Sequence, residues 1–196
     1  MKASILLTAA LLLAMVASGC AGREELAARS AIVPAGMELS GHWKLRIADQ
    51  ETMQRIDDAE LAAAGGLESI VRGKRRQSGQ RSLSPDSGAL VHVFLEVGKE
   101  LKITQTADGI FISFDRSIVE EYRFGEQRVI SVGPIEADRA SGWDNGAYVI
   151  ETLDQAGAKL TEKYRLVDAG DELVRSISIL HRGRQQLAIE QVFDRT

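Results

Sequence analysis

From Glu100 onward the chain repeats one pattern: a short run with apolar residues near every second position, then a turn built from Gly, Asn or Asp. The runs fall at about 100–106, 109–115, 118–124, 127–132, 134–140, 146–153, 158–166, 172–181 and 186–195. The pair Asn145-Gly146 suits the positive φ values of a tight hairpin turn. An earlier run at Gly41–Ile47 alternates as well, with Trp43, Leu45 and Ile47 on one face and His42, Lys44 and Arg46 on the other. Short connections make consecutive strands antiparallel neighbours. A flat meander of this many strands leaves unpaired edges, which curling or closure removes. The pattern therefore predicts a mainly β protein, an antiparallel up-and-down barrel or strongly curled meander of about 8–10 strands.

Residues 49–98 depart from this pattern and read as a helical insertion after the first strand. Asp49 is placed to cap a helix to about Ala64, Gly65-Gly66 breaks it, and Leu67–Val71 adds a turn or two. A basic run, Arg72–Arg76 with Arg81 nearby, follows in a polar loop. Such a run is either solvated or able to meet lipid phosphates. Within 89–98, Leu90, Val91, Phe94 and Leu95 have helical spacing, whereas Val91, Val93, Leu95 and Val97 alternate. The break at Gly98-Lys99 tips the reading toward helix.

The last three turns propose a register. Pairing Leu153 with Ala158 sets Glu151 opposite Leu160. Pairing Val167 with Glu172 sets Tyr164 opposite Arg175, and pairing His181 with Gln185 sets Arg175 opposite Gln191. One face then holds Val149, Leu153, Leu160, Leu166, Leu173, Ile177, Ile179, Leu187, Ile189 and Phe193, and it is the inner one. Five polar residues share it: Glu151, Glu162, Tyr164, Arg175 and Gln191. Buried charges must be paired, so these side chains are expected to satisfy one another. They read either as the polar floor of a ligand cavity or as a structural network. Glu120-Glu121 reads as part of a solvated strand, and Tyr148, Ile150, Val174 and Leu180 as candidates for an outer apolar patch.

The N-terminus has a different logic. Lys2 precedes Ile5–Val16, which is apolar but for Thr8 and too short to span a membrane. Ala17-Ser18-Gly19-Cys20 resembles the lipobox of bacterial lipoproteins, with Ala17 where Leu is more usual. The resemblance implies a signal peptide at 1–19 and acylation of Cys20 by fatty acids such as palmitate. With Ala21 rather than Asp next, it also implies an outer-membrane address with the domain facing the periplasm. Residues 20–39 then form the lipidated cysteine and a tether, with a short helix at Arg23–Ala31, and 40–196 form the domain. Cys20 is the only cysteine, so no disulfide is available and the fold rests on its core.

Gly41-His42-Trp43 looks like the G-x-W signature of lipocalins. In that family the tryptophan lies across the closed end of the barrel and is covered by a late arginine. The resemblance implies that role for Trp43 and Arg195, although the insertion at 49–98 has no lipocalin counterpart.

A net charge of −4 argues against nucleic acid as a partner. His42, His92 and His181 lack metal-ligand spacing, and no familiar nucleophile motif is present, so no metal, cofactor or catalytic residue is assigned. The reading that follows is an envelope lipoprotein whose β domain binds a small apolar or amphipathic ligand such as a lipid. A structural module docking on another envelope protein is the alternative. An enzyme using Glu151 and Glu162 as an acid–base pair is the third.

Overall fold

The computed structural model describes residues 24–46, 54, 55, 58 and 90–196. The signal segment, Cys20, the basic run Arg72–Arg76 with Arg81, and most of the anticipated insertion helices lie outside the described residues; Gln54, Arg55 and Asp58 are helical.

Ten strands form one sheet: β1 (Gly41–Leu45), β2 (Glu100–Gln105), β3 (Gly109–Phe114), β4 (Ile118–Arg123), β5 (Glu126–Val132), β6 (Ile135–Asp144), β7 (Ala147–Asp154), β8 (Ala158–Val167), β9 (Glu172–His181) and β10 (Arg184–Arg195). Every pairing is antiparallel, in the order β4-β3-β2-β1-β10-β9-β8-β7-β6-β5. The sheet curls into a nearly closed barrel, with one seam between β4 and β5. Alternation accounts for the elements: in β2, Leu101 and Ile103 are buried while Lys102 and Thr104 are exposed. The β6–β7 turn has Asn145 and Gly146 at φ 48° and 76°, the geometry of a two-residue hairpin whose twist matches its strands.

Trp43, Arg175, Tyr148, Tyr164, Phe114 and Phe193 are all under 2% exposed, so the barrel is filled by its own side chains. Each such apolar side chain contributes about 1.5–3 kcal/mol by leaving water. A 3₁₀ helix at Leu90–Phe94 caps one end. Its Val91 packs with Leu160, Ile177 and Ile189, and its Val93 and Phe94 pack with Ile135 and Ala137. The Asp154 carboxylate fastens it, accepting the backbone N–H of Val91 at 2.9 Å and of Ala158 at 2.8 Å. The helical reading of 89–98 thus holds for five residues in 3₁₀ form, and Leu95–Gly98 has no regular structure.

Two expectations are corrected. The first is the short helix at Arg23–Ala31: residues 24–29 have no regular structure. They form a strap across the outer wall of β6–β8 instead. Arg29 donates to Asp144 at 2.7 Å and pairs with Glu151 at 3.0 Å, and Lys159 reaches Glu24 at 3.3 Å. Ser30 bridges Trp143 through both backbone hydrogen bonds, beyond the point where β5 leaves the edge of β6. Sheet and ion-pair partners satisfy these groups, so a helix has nothing to add. The approach needs Gly142, because a Cβ there would sit 2.6 Å from the Ser30 carbonyl oxygen and 2.8 Å from the Gly125 nitrogen.

The second correction is the β7–β8 register, which lies one residue from the expected pairing. Leu153 faces Lys159, Thr152 faces Leu160 and Ile150 faces Glu162. Gly157, at φ 85°, lengthens the turn by one residue. Tyr148 and Ile150 therefore join the inner cluster, not an outer patch, while Val149, Glu151 and Leu153 face outward. Val149 and Glu151 are nonetheless buried, beneath the strap.

Candidate functional site

The inner polar row is laid down by β-sheet register. Tyr148, Tyr164, Arg175 and Gln191 stand opposite one another across β7, β8, β9 and β10, and Glu162 is two residues from Tyr164 on the same face. The Glu162 carboxylate accepts from the Arg175 guanidinium and from the Tyr164 hydroxyl, the latter at 3.1 Å. Arg175 also donates to Gln191 Oε1 at 3.2 Å and to the Glu96 carbonyl at 2.6 Å. Burial holds the Tyr164 pKa well above the usual phenol range, so its hydroxyl keeps the proton it donates. The guanidinium lies 5.1 Å from the Phe114 ring and 5.4 Å from that of Tyr164, so β3 on the facing wall closes over it. Arg175 Nε and Gln191 Nε2 have no partner among the described residues.

Glu151, expected in this group, is on the opposite side of the wall. It pairs with Arg29 and Lys159 and accepts the Ala27 N–H at 3.0 Å. The register slip is the cause, and it also separates Glu151 from Glu162, so the two do not form an acid–base pair. Four of the five polar residues do meet.

At the other end of the barrel, Arg195 faces Trp43 in register, with its guanidinium 4.2 Å from the ring centre. It is fixed there by donating to the Ser40 and Gly170 carbonyls, both at 2.9 Å. A Cβ at Gly41 would lie 2.7 Å from Arg195 Nη1 and 3.3 Å from Trp43 Nε1, so any larger residue there would push the guanidinium from its place over the ring.

The seam supplies what the sequence did not reveal. Where β4 and β5 share no ladder, side chains reach across. Arg139 on β6, 5% exposed, pairs with Glu120 on β4 at 3.0 Å and donates to Thr152 Oγ1 at 3.1 Å. Arg128 on β5 donates to the Glu121 carbonyl at 2.7 Å, and the Ser141 hydroxyl donates to the Arg123 carbonyl at 2.8 Å. Glu120 is thus a half-buried partner rather than a solvated strand residue. The available signal was Arg139 itself, which continues the inward alternation of Ile135 and Ala137.

Beneath the cap helix the seam opens into a slot of about 290 Å³, lined by Phe94, Glu96, Glu120, Ile130, Val132 and Arg139 among others. Its volume is just below the range of small-ligand pockets, about 300–1,000 Å³, so it suits a head group and not a whole lipid. Burial, then the nearby Glu120 and Glu162 charges, raises the Glu96 pKa, while Arg175 and Arg139 pull it back. Glu96 therefore stands between the two carboxylate–guanidinium pairs. The slot's lining is mostly polar, with Glu96, Glu120 and Arg139 offering hydrogen-bond donors and acceptors beside the aliphatic side chains of Ile130 and Val132.

No family model matches the chain, and no curated protein matches it. Among solved structures it is similar to a Caenorhabditis elegans lipid binding protein, LBP-8, with a TM-score of 0.48 and 11% identity over 85% of this chain and 100% of that one. Human cRBP IV aligns with a TM-score of 0.47 and 17% identity over 82% and 99% of the two chains. A secretory abundant heat soluble protein from Ramazzottius varieornatus aligns with a TM-score of 0.46 and 14% identity over 80% and 94%. The barrel assignment rests on the strand pairing of this chain.

Proposed function

We propose that this protein is an envelope lipoprotein, anchored in the outer membrane through Cys20 with its barrel in the periplasm, and that the barrel holds the polar end of a small amphipathic molecule, a lipid for instance. One observation carries the binding reading: the seam opens into a slot of about 290 Å³ with Glu96, Glu120 and Arg139 in its lining. A filled interior leaves no room for a long chain inside the barrel, so an apolar tail stays at the mouth. The anchor reading is supported by the lipobox-like Ala17-Ser18-Gly19-Cys20.

The test is native mass spectrometry of the full chain purified from envelopes, followed by organic extraction. A bound mass is expected, and Ile130→Trp, which fills the slot while leaving its polar groups in place, should remove it. A bare mass across preparations, with a melting temperature unmoved by added lipid, would refute binding.

The filled core also supports a second reading, an assembly module that docks on another envelope protein. It predicts a bare mass together with a stoichiometric partner captured by crosslinking in envelopes.

A further inference from the structure

We infer that the barrel rests on the bilayer with the mouth of its β4–β5 slot turned toward the lipid surface. This rests on the anchor reading above and adds an orientation and a docking face to it.

Three observations converge. The strap is already held to the barrel at Glu24, four residues beyond Cys20, so the anchor lies within about 14 Å of Glu24 at full extension. Glu24 and Leu26 line an outer groove that they share with Arg128, Val129 and Asp138, so the leash starts against the β5–β6 side of the barrel. Val129 and Arg128 line both this groove and the slot, which places the leash beside the mouth of the seam.

The apolar surface agrees. Among the described residues five large apolar side chains are exposed, and three flank the seam: Ile118 and Val119 on β4, at 41% and 64%, and Val129 on β5, at 65%. Val119 is next to Glu120 of the slot, and Val129 is between Arg128 and Ile130, so each lip carries an exposed aliphatic side chain. Exposed apolar residues around a polar opening mark an interaction surface. A leash this short presses that surface onto the membrane that holds the anchor. A bilayer is the occupant that brings lips, slot and leash together: valines enter the interface, and a lipid moves its polar end into the slot without its tail crossing water. Arg123 and Arg128 beside the seam are exposed and paired only loosely, with Glu121 at 3.9 Å and Glu126 at 3.7 Å, so headgroup phosphates compete with those carboxylates for them.

Acylation consumes the Cys20 thiol, so a new cysteine takes a fluorophore alone. The full, processed chain is placed in phosphatidylethanolamine/phosphatidylglycerol vesicles containing spin-labelled lipid, with the fluorophore at Val119→Cys, Val129→Cys or, on the exposed face of β2, Lys102→Cys. Quenching several-fold stronger at 119 and 129 than at 102 is expected. Hydrogen exchange of the unlabelled protein should show protection of β4 and β5 on the same vesicles. Equal quenching at all sites, or stronger quenching at 102, overturns the docking face while leaving the anchor intact. A mature mass without acyl chains on Cys20 overturns the anchor, and the docking proposal with it.

Discussion

Arg139 and Glu120 belong to strands that are not neighbours, yet their side chains meet at 3.0 Å across the place where the barrel wall has no ladder. Backbone hydrogen bonds close the other gaps between adjacent strands; here side chains do, the Arg139 guanidinium among them. It is seated by Thr152 and lies 5.3 Å from the Tyr122 ring, so its position is set by three strands. Arg139→Ala should cost about 1.5–3 kcal/mol, the range for hydrogen bonds to charged groups, and lower the melting temperature by roughly 3–12 °C. Urea unfolding measures the first and calorimetry the second. Hydrogen exchange should rise at β4 and β5 before the rest of the sheet. A uniform rise would show that the pair is not what holds the seam.

The inner row invites a paired experiment. Arg175 is fully buried against Glu162, and deleting one partner of a buried ion pair leaves the other uncompensated. Arg175→Ala is expected to lose about 3–5 kcal/mol of stability, whereas the double replacement Arg175→Met with Glu162→Leu should recover most of it. Chemical denaturation of the two variants checks this. A single variant no weaker than a surface substitution would mean that solvent reaches the pair.

Much of this row was legible because β8, β9 and β10 alternate cleanly. Lys163, Arg165, Ser176 and Glu190 mark the outside, so Leu160, Glu162, Tyr164, Arg175 and Gln191 could only be inside. In β7 the same logic failed. From Ala147 to Thr152 every residue is buried, one face by the core and the other by the strap, so alternation carries no register there. A turn glycine then moved the pairing by one residue and carried Glu151 through the wall. The strap itself was hidden because its partners, Asp144, Glu151 and Lys159, are more than a hundred residues away in sequence. The slot was hidden for a different reason: it exists where β4 and β5 fail to pair, and no local pattern announces a missing ladder.

The strap provides its own test. Arg29 is nearly buried between Asp144 and Glu151, so Arg29→Ala should free residues 24–31 while the barrel stays folded. Amide exchange at Ser30 and Trp143 would report the loss of their bridge. Gly142→Ala should act from the other side, since its methyl group meets backbone atoms of Ser30 and Gly125 that cannot turn away. Both variants are expected to increase proteolysis before the strand β1, with far-ultraviolet circular dichroism unchanged. Intact protection in both would mean that the strap is held elsewhere.

The cap helix and the segment that follows it should respond to pH, and His92 and Glu96 in them respond with opposite sign. Burial lowers the His92 pKa below its ordinary 6.5, against a smaller opposing pull from Asp154. The unfolded chain therefore takes up the proton first, so His92 favours the folded state above pH 6.5 and loses that contribution as pH falls through its folded pKa. Glu96 has a raised pKa, caused first by burial and then by Glu120 and Glu162. The folded chain holds that proton longer, so its contribution is present below the ordinary 4.5 and is lost as pH rises through its folded pKa. Substitution separates the two. His92→Gln should flatten the loss of stability below pH 6.5, and Glu96→Gln should remove the loss that begins above pH 4.5. Denaturant midpoints measured across pH 4–8 read both slopes. Because Glu96 lines the slot, a bound ligand should change its slope and leave that of His92 in place. Equal changes in the two slopes would mean that the ligand acts on the whole cap and not at the slot.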